Sequence, residues 1–223
     1  MRTIGQGYSS LEKFTASMNM PRPMTQSNFN AAVNKMTKVV VDIAESTIAD
    51  AAKQLRTTAG MNNDEGILDV GVSCDGTWQR RGYSSLNGSF TAISLDSGKV
   101  LDTKVMSRYC KSCKNKEPLR KENIENFNKW YEKHKQNCQL NHTGSAGAME
   151  PSGATRIFSR SVQNRKLRYT KYLGDGDSKG YEVVKSIYKE KEINKLECVG
   201  HVQKRVGTRL RNLKKTTKGL GGK

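Results

Sequence analysis

The apolar residues between Phe29 and Leu55 recur mostly at spacings of three, four and seven, which is the pattern of an amphipathic helix. One long helix, or two in succession, is predicted over about residues 28–58. Residues 1–23 lack sustained periodicity and contain a Pro-Arg-Pro step, so they are interpreted as a lead-in. We expect the apolar face of the helix to be buried against a sheet, although a partner helix could also use it.

A polar break at residues 60–66 separates this helix from short apolar runs that are typical of β-strands. The first run ends in an acid, Asp75, and the turn sequence DSG separates the next two, so three strands form an antiparallel meander. A later run again ends beside an acid, Asp175. Strands are predicted over residues 67–75, 89–95, 100–106, 167–173 and 195–199, and helices over residues 149–163, 179–189 and 202–213.

The predicted order of elements is three strands, a helix, then strand, helix, strand and helix. This is the layout of an RNase H-like α/β domain, in which acids on the first and fourth strands lie side by side. A polar, lysine-rich segment interrupts this layout and contains three of the five cysteines and two of the three histidines. The predicted fold is therefore an RNase H-like mixed sheet with flanking helices, an amino-terminal helical extension and a Cys/His insertion. The predicted boundaries are 1–65 for the lead-in and extension, 66–107 for the first three strands, 108–143 for the insertion and 144–223 for the remainder.

The charge of the chain points to a polyanion, since 39 Lys and Arg oppose 21 Asp and Glu and leave a formal charge of +18. Residues 151–174 and 201–223 carry bases and no acid, as expected for contacts with DNA phosphates. Trp78 and Tyr83 flank another basic pair and either grip unstacked bases or, for Trp78, pack under the sheet. DNA contacts are predicted for Arg80, Arg81, Lys204, Arg205, Arg209 and Arg211.

The insertion carries the spacing of a structural zinc site, Cys110-x-x-Cys113 followed by His134-x-x-x-Cys138. A small polar segment cannot fold by burial alone, and Zn²⁺ would supply the missing stability. His142 competes with His134, because it also follows Cys138 at an acceptable spacing. A Cys-x-x-Cys pair with an odd number of cysteines favours metal in a reducing compartment over a disulfide.

No apolar run approaches the roughly 18 residues of a membrane span, and no signal peptide begins the chain. We therefore expect a soluble protein of the nucleus or cytosol that has no membrane partner.

The two strand-end acids suit two-metal phosphoryl transfer, in which two or three carboxylates hold Mg²⁺ or Mn²⁺. Asp75 and Asp175 each precede glycine and lie 100 residues apart, so only the fold could bring them together. Asp before Gly is also a common turn pair. Glu150 begins a predicted helix and either adds a third carboxylate to the site or interacts with the helix dipole.

Four segments, DGTWQRRG (75–82), GSAGAME (144–150), YLGDGDSK (172–179) and LECVGHVQKR (196–205), resemble in order the Mutator-like transposase domain of animal genomes. The resemblance implies an RNase H-like fold and a DDE-type reaction, with nicking at transposon ends followed by strand transfer. Asp75 matches the first acid and Asp175 the second, with Asp177 as a less favoured alternative. The Cys198-x-x-His201 element also resembles one of that family.

The third acid of that family lies on a helix well after the second, whereas the last acid of this chain, Glu197, is on the fifth predicted strand. We therefore expect a carboxyl-terminally truncated copy, whose third acid is either Glu150 or lies beyond Lys223.

Three functions are compatible with these features. The first is a nuclear DNA transposase, and the second is a catalytically inactive, transposon-derived DNA-binding protein. The third is an RNA-cleaving nuclease of the same fold class. A homo-oligomer is compatible with each.

Overall fold

The computed structural model describes residues 7–61, 66–80, 84–175, 179–217 and 219–220. The chain divides into two compact units, residues 1–47 and residues 48–223. Among the described residues, no helix is long and apolar enough to cross a membrane. The helices are α1 (Tyr8–Ser17), α2 (Gln26–Thr58), α3 (Lys111–Asn115), α4 (Glu117–Glu122), α5 (Ile124–His134), α6 (Met149–Arg165), α7 (Lys179–Val184) and α8 (Val199–Thr216). The strands are β1 (Leu68–Trp78), β2 (Asn87–Ser94), β3 (Val100–Ser107), β4 (Leu167–Gly174) and β5 (Asn194–Glu197).

The first unit contains α1 and most of α2. Residues 1–23 lack sustained periodicity in the sequence, yet Tyr8–Ser17 is helical. Its only buried residue is Thr15, so the helix has too narrow an apolar stripe to be recognised by periodicity. The Tyr8 ring lies 5.7 Å from the ring of Phe29 on α2. This helix therefore depends on a tertiary contact.

Helix α2 is continuous, which confirms the prediction of one long helix. The expected burial of its apolar face was right only for the last three turns, where Ile48, Ala52 and Leu55 are buried. Met36 and Ile43 are 52% and 60% exposed. They belong to the first unit, whose described helices are too small to enclose a core of their own.

The second unit is built on one five-stranded sheet with the order β3-β2-β1-β4-β5. The pairs β1–β2 and β2–β3 are antiparallel, which confirms the predicted meander. The pairs β1–β4 and β4–β5 are parallel. The predicted α/β fold with a mixed sheet is therefore confirmed, and β1, β3, β4 and β5 all end at the same edge.

Strands β1 and β4 are the central parallel pair. Asp69 on β1 lies opposite Arg168 on β4, and its Oδ1 accepts a hydrogen bond of 2.7 Å from the Arg168 Nε. Lys191 bonds the other carboxylate oxygen. Burial opposes the charge of Asp69, but these bonds outweigh it and lower the carboxyl pKa. A charge pair thus reinforces the register of the two strands.

The hydrophobic core lies between the sheet and α6, with the last turns of α2 added to it. Phe158 of α6 is fully buried against Tyr169, whose ring centroid is 5.1 Å away. A Cβ on Gly153 would lie only 2.6 Å from the Phe90 Cβ, so glycine permits the close approach of α6 to β2. Because α6 carries Glu150, this packing also positions a candidate site residue.

Helices α7 and α8 differ from the prediction in length. Helix α7 ends at Val184 rather than near residue 189, because Tyr188 turns inward and its hydroxyl lies 2.7 Å from the Ser161 Oγ. Helix α8 extends beyond residues 202–213 at both ends. Local periodicity does not reveal such contacts, so it misplaced both boundaries.

A buried ion pair ties α6 to β3. Asp102 is only 1% exposed, and Arg160 binds its two carboxylate oxygens through Nε at 2.9 Å and Nη2 at 2.6 Å. The Thr103 backbone N–H donates a third bond to Oδ1 at 2.8 Å. A fully paired carboxylate of this kind is tolerated in a core, whereas an unpaired one is costly.

We expect Arg160→Ala to lower the free energy of unfolding by about 3 kcal/mol, because the Asp102 charge would stay buried without its partner. Urea denaturation of the purified protein measures this change. Lys185→Ala, which breaks the exposed Lys185–Glu182 pair, is the control and should change the free energy of unfolding far less, because solvent screens an exposed pair. Equal losses in the two variants would contradict the importance of the buried pair.

Candidate functional site

The two strand acids lie on neighbouring strands at the shared edge of the sheet. Asp175 directly follows β4, as predicted. The prediction that Asp75 ends its strand was wrong, because β1 continues to Trp78 and Asp75 pairs with Thr91 of β2. Pairing of β1 with β4, by contrast, stops at Ser73 and Leu173, two residues before each acid. Asp75 therefore lies where β1 has left β4 but still pairs with β2.

The register places these acids at the same end of neighbouring strands. Asp75 and Asp175 each lie two residues beyond the last β1–β4 pair, which Ser73 and Leu173 form. Both residues are exposed, so solvent and ligands can reach them. The Asp75 Oδ1 accepts a 2.7 Å hydrogen bond from the backbone N–H of Gly76.

Glu150 lies in the first turn of α6, and it is half-buried. Cys74, beside Asp75, is buried. Burial raises the pKa of the Cys74 thiol, and the negative charges of Glu150 and Asp75 raise it further. The charges of both carboxylates thus act on the same thiol.

His201 contacts the second acid, which the sequence did not indicate. Its Nδ1 lies 3.2 Å from the Asp175 Oδ1. Gly174 pairs with Glu197, so parallel pairing of β4 and β5 brings the start of α8 beside Asp175. The Cys198-x-x-His201 element was a visible signal, but its spacing does not reveal a partner. Only the pairing of β4 with β5 reveals that Asp175 is the residue that His201 contacts.

The end of β1 and the residues after it carry the predicted aromatic and basic contacts. Trp78 packs against Met106 and Met149, which favours the packing role over the base-gripping role. Arg80 is exposed. Arg81, Tyr83 and Asp177 lie outside the described residues.

The Cys/His insertion brings four side chains together, and their ligand atoms all lie within 4.8 Å of one another. The Cys110 Sγ is 3.2 Å from the His134 Nε2, and the Cys113 Sγ is 3.5 Å from the Cys138 Sγ. Sulfur ligands of a tetrahedral zinc ion with 2.3 Å bonds lie about 3.8 Å apart, so the cluster has the size of a metal site. This Cys₃His group could hold a metal ion such as zinc.

The cluster contains His134 rather than His142. The His142 side chain is buried elsewhere, with its Nε2 3.3 Å from the Ser145 carbonyl oxygen. Cys110 precedes α3, Cys113 lies within it, His134 ends α5, and Cys138 follows a short 3₁₀ turn. The four ligands therefore join both ends of the insertion.

The thiols of the cluster interact strongly with their surroundings. Burial raises the pKa of Cys110, but hydrogen bonds from the backbone of Cys113 and Gln139 and the contact with His134 outweigh burial and bring it to about 6. Burial and the bonds to Cys138 and Cys110 raise the pKa of Cys113 to about 12. One thiolate is thus favoured next to a thiol that resists losing its proton, an arrangement that a bound cation would relieve.

Three short helices surround the cluster, and no residue of α3, α4 or α5 is buried. The aromatic residues of α5 contact one another. The Trp130 ring stacks on His134 at 4.7 Å, and the Phe127 ring stacks on Tyr131 at 5.8 Å. These contacts hold the last turn of α5, but they enclose no core.

Helix α8 carries four of the six predicted DNA contacts. Lys204, Arg209 and Arg211 are exposed, and no acid lies between Val199 and Thr216. Arg205 is half-buried and binds Glu197 through Nη2 at 2.8 Å. The helix therefore presents positive charge beside the edge of the sheet that carries the acids.

Comparison with curated proteins and with solved structures gives no match. A family model described as Mutator-like transposase matches residues 1–223. The match spans the entire sequence, including the strand acids, the Cys/His insertion and α8. The chain belongs to the Mutator-like transposase family.

Proposed function

We propose that this chain is the catalytic domain of a DNA transposase with an RNase H-like fold, and that Asp75 and Asp175 are catalytic. The observation that carries the proposal is the position of these two acids, on adjacent strands at one sheet edge in a member of a transposase family. The sheet order β3-β2-β1-β4-β5, with only the outer meander antiparallel, supports the RNase H-like assignment.

The two carboxylates offer the oxygen ligands that Mg²⁺ and Mn²⁺ prefer, and both are accessible. Two bound metal ions would activate the attacking water or 3′-hydroxyl and stabilise the leaving oxygen during nicking and strand transfer. The Gly76 N–H orients Asp75, and His201 orients Asp175. Glu150 serves as the third carboxylate, because it shares the neighbourhood of Cys74 with Asp75.

The remaining features support a protein that acts on DNA in the nucleus. The exposed bases of α8 and Arg80 bind phosphates beside the carboxylates, and Arg81 follows directly in the sequence. In the insertion, Zn²⁺ bound by Cys110, Cys113, His134 and Cys138 stabilises three helices that have no buried residue. We also propose that the protein forms a homo-oligomer, because a DNA substrate with two ends favours one.

We expect the purified protein to nick duplex DNA in the presence of Mn²⁺, and Asp75→Asn to abolish nicking because a metal-binding charge is lost. His201→Ala removes a residue that only orients a ligand, so its rate should fall by about 10–100-fold. Nicking is measured on a supercoiled plasmid. Asp96→Asn, which changes an exposed turn acid, is the control and should leave the rate unchanged.

Two outcomes of this assay would contradict the catalytic proposal. If wild type and Asp75→Asn nick at the same rate, the carboxylate is not catalytic. If the wild-type protein binds DNA without nicking it, the inactive, transposon-derived DNA-binding protein becomes the better description. Cutting of an RNA–DNA hybrid in preference to duplex DNA would instead favour the RNA-cleaving nuclease.

We expect the affinity for duplex DNA to fall steeply with salt, because each phosphate contact releases counterions. Replacing Lys204, Arg209 and Arg211 together by alanine should reduce the slope of log K against log salt by up to about 3. Fluorescence anisotropy with a labelled duplex measures both quantities. The matched control replaces three exposed lysines of the amino-terminal unit, Lys13, Lys35 and Lys38. Equal slopes in the two triple variants would argue against α8 as the DNA-contacting helix.

We expect elemental analysis to find about one zinc per chain, as a single four-ligand site requires. Cys110→Ser combined with Cys113→Ser should lose the metal, because half of the ligands are gone. Cys198→Ser, a cysteine outside the cluster, should retain it. A wild-type protein free of zinc would refute this assignment.

A further inference from the structure

The insertion contains a cavity of about 650 Å³ beside the Cys/His cluster, which the phosphoryl-transfer proposal does not use. This volume lies within the range of about 300–1,000 Å³ that is typical of small-molecule sites. Residues from α3, α4 and α5 and from the segment after β3 line it, and Cys110 and Cys113 form part of its wall. A metal ion is much smaller than this space, so the cavity can take a further ligand.

Aromatic rings line the cavity. Tyr109, Phe127 and Tyr131 all contribute to its wall, and each is half-buried. Phe127 and Tyr131 are parallel to within 12°, so they form one stacked pair. Planar rings at the wall of an open pocket suit a flat aromatic ligand, which can continue the stack.

Positive charge surrounds these rings. Arg108, Lys114 and Arg120 line the cavity with a single acid, Glu117. The Lys114 Nζ lies 6.0 Å from the centre of the Tyr109 ring, and the Arg120 guanidinium lies 5.7 Å from that of Phe127. The insertion as a whole carries nine basic and four acidic residues. The ligand should therefore combine a flat ring with negative charge.

We propose that the insertion binds unpaired DNA, with a nucleobase stacked in this cavity on Tyr109 or Tyr131 and the adjoining phosphates bound by Arg108, Lys114 and Arg120. Single-stranded DNA is bound in this way, by aromatic platforms inside a basic groove. An acidic peptide would satisfy the cations and leave the rings without a stacking partner. The metal cluster supports the site, because its ligands link α3 to α5 across the cavity wall.

The position of the insertion relates this cavity to the strand acids. The insertion follows Ser107 at the end of β3, and β3 ends at the same sheet edge as β1 and β4. An unpaired strand held there lies on the side of the sheet that carries Asp75 and Asp175. This inference rests on the proposed function only in taking DNA as the polymer, since binding in the cavity needs neither carboxylate.

The test uses the zinc-loaded full chain and two fluorescein-labelled twelve-mers of equal charge, oligo-dT and an abasic strand. We expect oligo-dT to bind at least about fivefold more tightly, since the abasic strand has no base to stack. Tyr131→Ala should remove this preference, Tyr131→Phe should keep it, and Phe14→Ala, an exposed aromatic outside the cavity, should leave it unchanged. Equal affinity of the wild type for both strands overturns the proposal.

Photo-crosslinking covers the case in which Tyr131→Ala disturbs the fold, which its zinc content would reveal. An oligonucleotide with one 5-iodouracil should crosslink to Tyr109, Phe127 or Tyr131 in the wild-type protein, as mapped by mass spectrometry. Crosslinks confined to other segments overturn the proposal, as does equal competition by an oligoglutamate of the same charge. Loss of nicking in Asp75→Asn with oligo-dT binding intact would separate this site from the catalytic one.

Discussion

The parallel pairing of β1 with β4 is the constraint on which the rest of the structure depends. Residues about 100 positions apart can meet in this way only through a long crossover, which here contains β2, β3, the insertion and α6. The Asp69–Arg168 pair supports the register, and the core on α6 holds the two strands in place. The position of the two strand acids at one end of the sheet follows from that pairing, because nothing in the local sequence around either acid determines it.

The distribution of charge differs between the two ends of the β1–β4 strand pair. Near the start of the strands, Asp69 is neutralised by Arg168 and Lys191. At the opposite edge, Asp75 remains exposed, and His201 meets Asp175. A chain with a formal charge of +18 therefore keeps accessible carboxylates where its strands end.

The insertion depends on a different interaction. Its helices contain no buried residue, so apolar burial contributes little to their stability, and the Cys₃His cluster is the contact that joins the two ends of the segment. In such a module the aromatic residues are not needed to fill a core. This leaves Tyr109 and the Phe127–Tyr131 stack at the wall of an open cavity, where they can contact a ligand.

The sequence by itself determined the elements and much of the chemistry. Period-two and period-three-to-four patterns predicted five strands and the helices α2, α6, α7 and α8, and ligand spacing predicted Cys110, Cys113, His134 and Cys138, because these signals are local. Tertiary structure decided what depends on distant partners. It placed α1 against Phe29, ended α7 at the inward turn of Tyr188, and chose His134 over His142. It also brought His201 to Asp175, since strand pairing, which no local pattern encodes, determines which residues meet.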